Sequence, residues 1–356
     1  MVAGDTGGAR TMLAIREELT KRGWKVYTFF DPEGEGQYAA KEALANMVGA
    51  DMERAVNDSD LLYIATCSTA YKAAHRALKG VVISDRIVFS PDGYFNHYFP
   101  QWRKIQYGHW LAVDDYHAPA IAEMRPGLPK GNIHVTGLPA FDDLPDVYAR
   151  RDEIRRATRA SLGLSPAYKV VLWWSHGTRE VAAEDVEMIL HGLTQIAGAL
   201  YPCVFVPRLH PKLDKEVSPG YVKATRTLVE RVAGTSGIKC IDADKVSPTE
   251  LDLAADVVVT ATSSEATKCV MLGGPPVVHI LGPRNQDWLA GLGAQPLYIP
   301  YLSDNRALVA WSVTEVGEHI IQALSQDAAS QLRHGWIPPK GGAAERTADV
   351  LESLVD

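Results

Sequence analysis

Between Asp256 and Leu281 the chain reads DVVVTATSSEATKCVMLGGPPVVHIL, an order of residues that few folds accommodate. Val257, Val258 and Val259 form an unbroken β-branched run, as a parallel strand buried on both faces requires. Thr260, Thr262, Ser263 and Ser264 follow where that strand ends, and Ser263 or Ser264 is placed to cap a short helix. Gly273 and Gly274 stop the helix, Pro275 and Pro276 forbid its continuation, and Val277 to Ile280 restart an apolar strand. The corner leaves helix N–H groups and a positive dipole end facing outward, where an anion is the natural guest. Ligands of open α/β sheets lie beyond the carboxyl ends of the strands, and this turn falls there. A plain βαβ unit with polar turn residues is the competing reading.

The same alternation of strand and helix runs through the whole chain, which predicts parallel sheets in both halves. At 356 residues the chain exceeds what one core serves, so two domains are expected, over 1–150 and 165–330. The boundary is placed between about Asp143 and Pro166, with the charged helix Arg151 to Arg159 in the linker. Strands are read at Met1–Ala3, Val26–Phe30, Leu61–Thr66, Ile87–Phe89, Leu111–Asp114 and Ile133–Thr136 in the first half. The second half offers Val170–Trp174, Val204–Val206, Ile238–Ile241, Val257–Val259, Val277–Ile280 and Leu297–Ile299. The first strand is short for a buried one, hence an expectation that the natural chain begins upstream of Met1. The glycine-rich turn Gly4 to Gly8 after it is not GxGxxG, so no nicotinamide fingerprint is read there.

A formal charge of −7 with scattered basic residues excludes a nucleic-acid footprint. No apolar run reaches membrane-spanning length and no signal-peptide layout opens the chain, so a cytoplasmic protein is expected. The four cysteines lack CxxC spacing and the eleven histidines lack HExxH spacing, so neither a disulfide framework nor a metal site is expected. Ser90 to Trp110 breaks the regular rhythm with aromatic, histidine and basic side chains. Asp92, His97 and His109 are candidates to line an acceptor pocket; alternatively Phe95, Phe99, Trp102, Arg103 and Lys104 form a surface for peripheral membrane contact, or the loop packs on its own domain.

With these pieces in order the sequence resembles the B-type glycosyltransferase (GT-B) superfamily, including the UDP-GlcNAc 2-epimerases and the CDP-glycerol polymerases. The resemblance rests on GDTGGARTMLAIREELTKRGW, NIHVTGLPAFD, RLHP and ADVVVTATSSEATKCVMLGGPPVV, and it covers nearly the whole chain. It implies two doubly wound Rossmann-like parallel-sheet domains facing a cleft, a C-terminal helix (343–356) returning to the first domain, and a nucleotide-sugar held by the second. It also implies a glycosyltransferase using a nucleotide-sugar co-substrate, with UDP as the expected base, no metal, and an acceptor that is a glycan, a lipid-linked molecule or a small molecule. Three other activities remain open: a UDP-GlcNAc 2-epimerase, a CDP-polyol phosphotransferase, and a non-catalytic nucleotide binder.

On that reading the diphosphate cradle comprises Ser175, Gly177 and Thr178 from one turn and Ser263 and Ser264 from another, while His176, Thr262 and Glu265, with Gly7, Gly8 and Arg10 of the N-terminal turn, are further candidates to bind the nucleotide-sugar. Arg179 or Arg208 adds charge, and His210 meets the nucleotide or diphosphate. The base is sought at Asp92 or His97, with Asp5 as second choice. The chain departs from the pattern twice. Ala9 stands where many relatives carry histidine, and Lys268, a candidate to pair with phosphate instead, stands where many carry a hydroxyl-holding glutamate.

Overall fold

A computed structural model of the chain describes residues 1–3, 6–30, 50–66, 85–91, 93–94, 96–99, 102, 105–197, 202–210, 212–295, 302, 306–325 and 340–355. The chain divides into two compact units, Met1–Asp143 with Lys340–Asp356, and Leu144–Pro339. Each is built on its own six-stranded parallel sheet.

In the first unit β1 (Val2–Ala3) leads into α1 (Thr6–Lys21) and β2 (Phe29–Phe30), followed by α2 (Ala50–Asn57), β3 (Leu62–Thr66), β4 (Ile87–Pro91), β5 (His109–Ala112), α3 (His117–Met124) and β6 (Ile133–Val135). The sheet order is β2-β1-β3-β4-β5-β6. Alternate residues of β3 point to opposite faces, as the two-residue period of a strand demands. Leu62 and Ile64 join Phe89, Trp102, Trp110 and Ile121 on one side, while Tyr63 and Ala65 join Met12, Ile15 and Leu19 of α1 on the other. Ala9 is part of that second cluster and fully buried. Helix α1 begins at Thr6, so Gly7 and Gly8 form its first turn rather than a free loop, a correction to the glycine-rich turn expected there. Strand β5 ends before Asp114 because that carboxylate turns back to accept from Tyr116 N (3.0 Å) and His117 N (2.8 Å), opening α3.

The TGLPAFD segment holds the C-terminal helix Ala343–Ser353. Asp142 accepts from Ala343 N at 2.6 Å and Ala344 N at 2.7 Å, satisfying two of the helix's first N–H groups. Arg346 Nε donates to Thr136 O at 2.9 Å, and Arg22 of α1 pairs with Asp349 (2.7 Å) and Glu352 (2.8 Å). Gly137 sits at φ +94°, where a Cβ would meet Ala343 Cβ at 2.8 Å, so the close approach of this helix depends on glycine. Asp142→Ala is therefore expected to cost about 1–2 kcal/mol in urea unfolding, with proteolytic cleavage of residues 340–355 ahead of the rest.

The second unit runs through α4 (Leu144–Ala149), α5 (Arg151–Ser161), β7 (Lys169–Trp174), α6 (Arg179–Ile196), β8 (Cys203–Arg208), α7 (Leu213–Glu216), α8 (Tyr221–Thr235) and β9 (Lys239–Cys240). It continues with α9 (Pro248–Ala254), β10 (Val257–Thr260), α10 (Ser264–Met271), β11 (Val277–Ile280), α11 (Pro283–Gly291), β12 (Leu308–Ala310) and α12 (Glu315–Ala323). Val257, Val258 and Val259 are all fully buried, as their β-branched run predicts. Helix α5, expected in a linker, is instead a packed part of this unit. Arg155 donates to Leu253 O at 2.8 Å, and Asp256 pairs with both Arg155 (2.6 Å) and Arg159 (3.1 Å). Strand β12 completes the sheet at a position not foreseen, while the strand expected at 297–299 and the helices expected at 38–48 and after Thr69 lie outside the described residues. Among the described residues no helix is long and apolar enough to cross a membrane.

Candidate functional site

The order of the second sheet is β12-β11-β10-β7-β8-β9. Successive connections run outward from β7 through β8 to β9, then return to β10 on the other side. The turns after β7 and β10 thus diverge at a topological switch point, the place where open α/β sheets form a ligand crevice. The strand ends are level, since Thr260 pairs with Trp174 and Trp174 pairs with Arg208. Ser175–Thr178, Leu209–His210 and Ala261–Ser264 therefore leave one edge side by side.

Side chains bind the first two of these turns together, and the third is fixed within itself. Ser175 Oγ accepts from His210 N at 2.7 Å, and Ser175 N donates to Arg208 O at 3.1 Å. Gly177 lies under the His210 ring, where a Cβ would be 3.0 Å from its nearest atom. Ser263 is the cap of α10, accepting from Glu265 N at 3.2 Å, and its own N–H donates to Thr260 Oγ1 at 3.3 Å. Ser264 begins the helix and Thr262 precedes the cap. Thr178 precedes α6, which Arg179 opens. Arg208, one of the two candidates to add charge, donates to Ala243 O at 2.7 Å and lies 3.6 Å from Asp244.

The two histidines of the site have a fixed protonation pattern. Thr178 N donates to His176 Nδ1 and Lys212 N donates to His210 Nδ1, each at 3.1 Å. Both neutral rings must then carry their proton on Nε2. Burial, with each ring's cationic neighbourhood acting in the same direction, lowers His176 to about 3 and His210 to about 4. They offer neutral N–H donors, not charges.

His279 on β11 was not singled out in the sequence, yet it anchors the β10 turn through Nδ1 and Ala261 O at 2.9 Å. It is fully buried, and burial lowers its pKa from 6.5 to about 4 despite the bond to Ala261. Its neutral form is the one the fold prefers, so its stabilisation is complete above pH 6.5 and is lost as pH falls from 6.5 towards 4. His279→Asn keeps a donor for Ala261 O without titrating. It is expected to flatten the acid side of the stability profile by up to about 1.4 kcal/mol per pH unit in that window, read by urea unfolding at successive pH values.

Glu265 and Lys268 turn inward. They form an ion pair within α10, Lys268 Nζ donates to Thr249 Oγ1 at 3.2 Å, and both stand beside Asp252, which accepts from Trp174 Nε1 at 2.8 Å. Burial opposes the Lys268 charge, but Glu265 and Asp252 outweigh it and raise its pKa. Burial, reinforced by Glu265, pushes Asp252 well above the carboxylate range. Both expected ligand contacts are thus spent on the fold, because the α9–α10 junction buries them together.

In the first unit Asp5 and Asp92 lie outside the described residues, while Arg10 is exposed on α1. His97 is 1% exposed, so it does not face an acceptor as a base would. Val113 N donates to His117 Nδ1 at 3.1 Å, which leaves His117 Nε2–H to donate to His97 Nδ1 at 2.9 Å. Burial, then His117 and Arg125, lower His97 well below 6.5. His109 opens β5 and bonds His134 at 3.0 Å, at the opposite end of the strand from His117, which bonds His97, so His97 and His109 do not line one pocket. Trp102 is buried against Phe89 and cannot rest on a membrane; Phe95, Arg103 and Lys104 lie outside the described residues. A cavity of about 680 Å³ lies between Trp24–Phe29 and Asp58–Tyr63, at the amino-terminal edge of this sheet and away from the carboxyl ends of its strands. Among the described residues no group of three or more histidine, cysteine or carboxylate side chains is arranged to hold a metal.

No family model matches the sequence, and no curated protein matches it. Solved structures do. The chain is similar to UDP-GlcNAc 2-epimerase from Neisseria meningitidis bound to UDP-GlcNAc, with a TM-score of 0.71 and 14% identity over 99% of both chains. The chain has the GT-B fold. The same fold relates it to a glycosyltransferase from Rickettsia africae, at a TM-score of 0.60 and 9% identity over 100% of this chain and 98% of that one. The wall teichoic acid polymerase TagF with CDPG is also similar, at 0.55 and 14% identity over 100% of this chain and 88% of that one. Identities this low speak for the GT-B architecture alone.

Proposed function

We propose that the chain is a cytoplasmic, metal-independent glycosyltransferase that binds a nucleotide-activated sugar at the switch point of its second unit. The observation that carries this reading is that three turns leave the level ends of β7, β8 and β10, two carrying neutral imidazole donors and the third the capped start of α10. As the acceptor hydroxyl bonds to the anomeric carbon, the bond to the diphosphate oxygen breaks and the diphosphate leaves with added charge. Fixed N–H groups and hydroxyls stabilise that charge without reorganising. Ser175, Thr178, Thr262, Ser263, Ser264, His176 and His210 are assigned to this task. A UDP-sugar is the proposed donor, with Asp92 as the proposed base catalyst and Asp5 its alternate.

A second reading, a nucleotide-binding relative without turnover, draws on the internal pairing of Lys268 with Glu265 and on the burial of Ala9. A UDP-GlcNAc 2-epimerase and a CDP-polyol phosphotransferase differ from the leading reading in donor and in product. The site assignment is tested by changing Ser263 and Ser264 together to Ala and measuring UDP and CDP affinity by calorimetry. A loss of about tenfold with a folded protein is expected, the worth of a cap hydroxyl and its charged bond; unchanged affinity would falsify the assignment.

A further inference from the structure

Two adjacent carboxylates on α6, Glu184 and Asp185, reach different turns at the ligand edge. Neighbouring residues on a helix point about 100° apart, so the pair cannot share a partner. Asp185 is 1% exposed and accepts from His176 N at 2.8 Å and Trp173 Nε1 at 3.3 Å. Glu184 is 7% exposed and accepts from Arg284 N at 2.9 Å and Asn285 N at 3.0 Å, at the start of α11. The two gripped turns then meet, for the His176 ring stands edge-on to Trp288 of α11 with centroids 4.9 Å apart. Gly282 leaves room for this, since a Cβ there would lie 2.5 Å from Glu184 Cδ.

Among the described residues neither carboxylate has a lysine or arginine partner. Buried carboxylates without a cation oppose folding, and an apolar residue would serve plain packing better. We propose that Glu184 and Asp185 are positioning residues for the nucleotide site, Asp185 by fixing the backbone of the Ser175–Thr178 turn and Glu184 by fixing the α11 turn that backs His176. This rests on the nucleotide reading of the site. Asp185 shows the cost of its role: burial, with Glu184 adding to it, raises its pKa from 3.8 to about 7. The gain is a turn whose His176 N–H is held from beneath, leaving Ser175 and Gly177 fixed against His210 and Thr178 N on the His176 ring.

The test is Asp185→Asn, with UDP and CDP as probes in calorimetry and Glu187→Gln as control. Glu187 is exposed on the same helix and loses the same charge. An amide can accept at only one of the two donors and turns its own N–H groups on the other. Asp185→Asn is expected to bind at least tenfold more weakly with Tm changed by only a few degrees, while Glu187→Gln stays within twofold. Nitrogen-15 spectra of the variant should also show His176 losing its single Nε2–H form, which a general loss of stability would not produce. Should Asp185→Asn fail to fold, Gly282→Ala carries the test by displacing Glu184 from α11, and a threefold or greater loss sustains the proposal. Wild-type binding with either variant folded and within twofold of it overturns the positioning role alone. Absence of wild-type binding to both nucleotides overturns the site reading and this proposal together.

Discussion

Asp256→Ala is expected to destabilise the second unit by about 3–5 kcal/mol, the cost of removing one partner from a largely buried ionic cluster. The carboxylate joins three elements. It accepts from Arg155 Nη2 at 2.6 Å and Arg159 Nη1 at 3.1 Å on α5, and from Val170 N at 2.7 Å as β7 begins. Arg159 is 7% exposed and also donates to Ala254 O and Tyr168 O, so it cannot swing into solvent when Asp256 is lost. The variant strands a buried guanidinium and an N–H at the mouth of β7. Urea unfolding should show a lower midpoint for the second unit with nucleotide affinity per folded molecule unchanged, because the cluster lies at the start of β7 and β10 rather than at their ligand-facing ends. A cost under about 1 kcal/mol, the range of a surface ion pair, would show that the cluster is solvated.

His210→Ala is expected to weaken nucleotide diphosphate binding by about 10- to 100-fold, corresponding to a hydrogen bond to a charged group. Lys212 N fixes the ring through Nδ1, Ser175 Oγ holds its backbone N–H, and Gly177 lets it pack at van der Waals distance. Preorganisation of this kind makes the donor effective, because no rearrangement is needed when the ligand arrives. The ring stays neutral down to about pH 4, so affinity should not rise as pH falls from 7 to 5 through protonation of His210. A gain in affinity over that interval in wild type but not in His210→Ala would mean that a charged imidazolium binds the ligand.

The sheets were legible because buried parallel strands announce themselves as β-branched runs, and Val257 to Val259 did so plainly. Ser263 was legible as a cap because hydroxyl chemistry at a strand–helix turn is local. Side-chain destinations were not, since they depend on tertiary partners far apart in sequence. Glu265 and Lys268 read as ligand contacts until α9 brings Thr249 and Asp252 against them. His97 read as a base until α3 supplies His117 from twenty residues on. Asp185 and His279 were passed over, one on the buried face of an amphipathic helix and one in an apolar strand. A carboxylate or imidazole within such a run, where an aliphatic residue would pack better, is the sign that would have found them. Helix α5 looked like a linker because its arginines resemble a solvated face until the carbonyls of residues 253–255 meet them.

The central claim is that the second unit holds a nucleotide diphosphate without a metal. Its most direct test is a thermal-shift panel of UDP, CDP, GDP, dTDP and ADP, with and without Mg²⁺, since a ligand that binds only the folded state raises Tm. At a concentration 100 times its Kd such a ligand adds about 2.7 kcal/mol. The account predicts a rise with UDP that does not depend on Mg²⁺ and that shrinks in the Ser263/Ser264 double alanine variant. A folded protein whose Tm is unmoved by all five nucleotides, or moved only when Mg²⁺ is present, would contradict it.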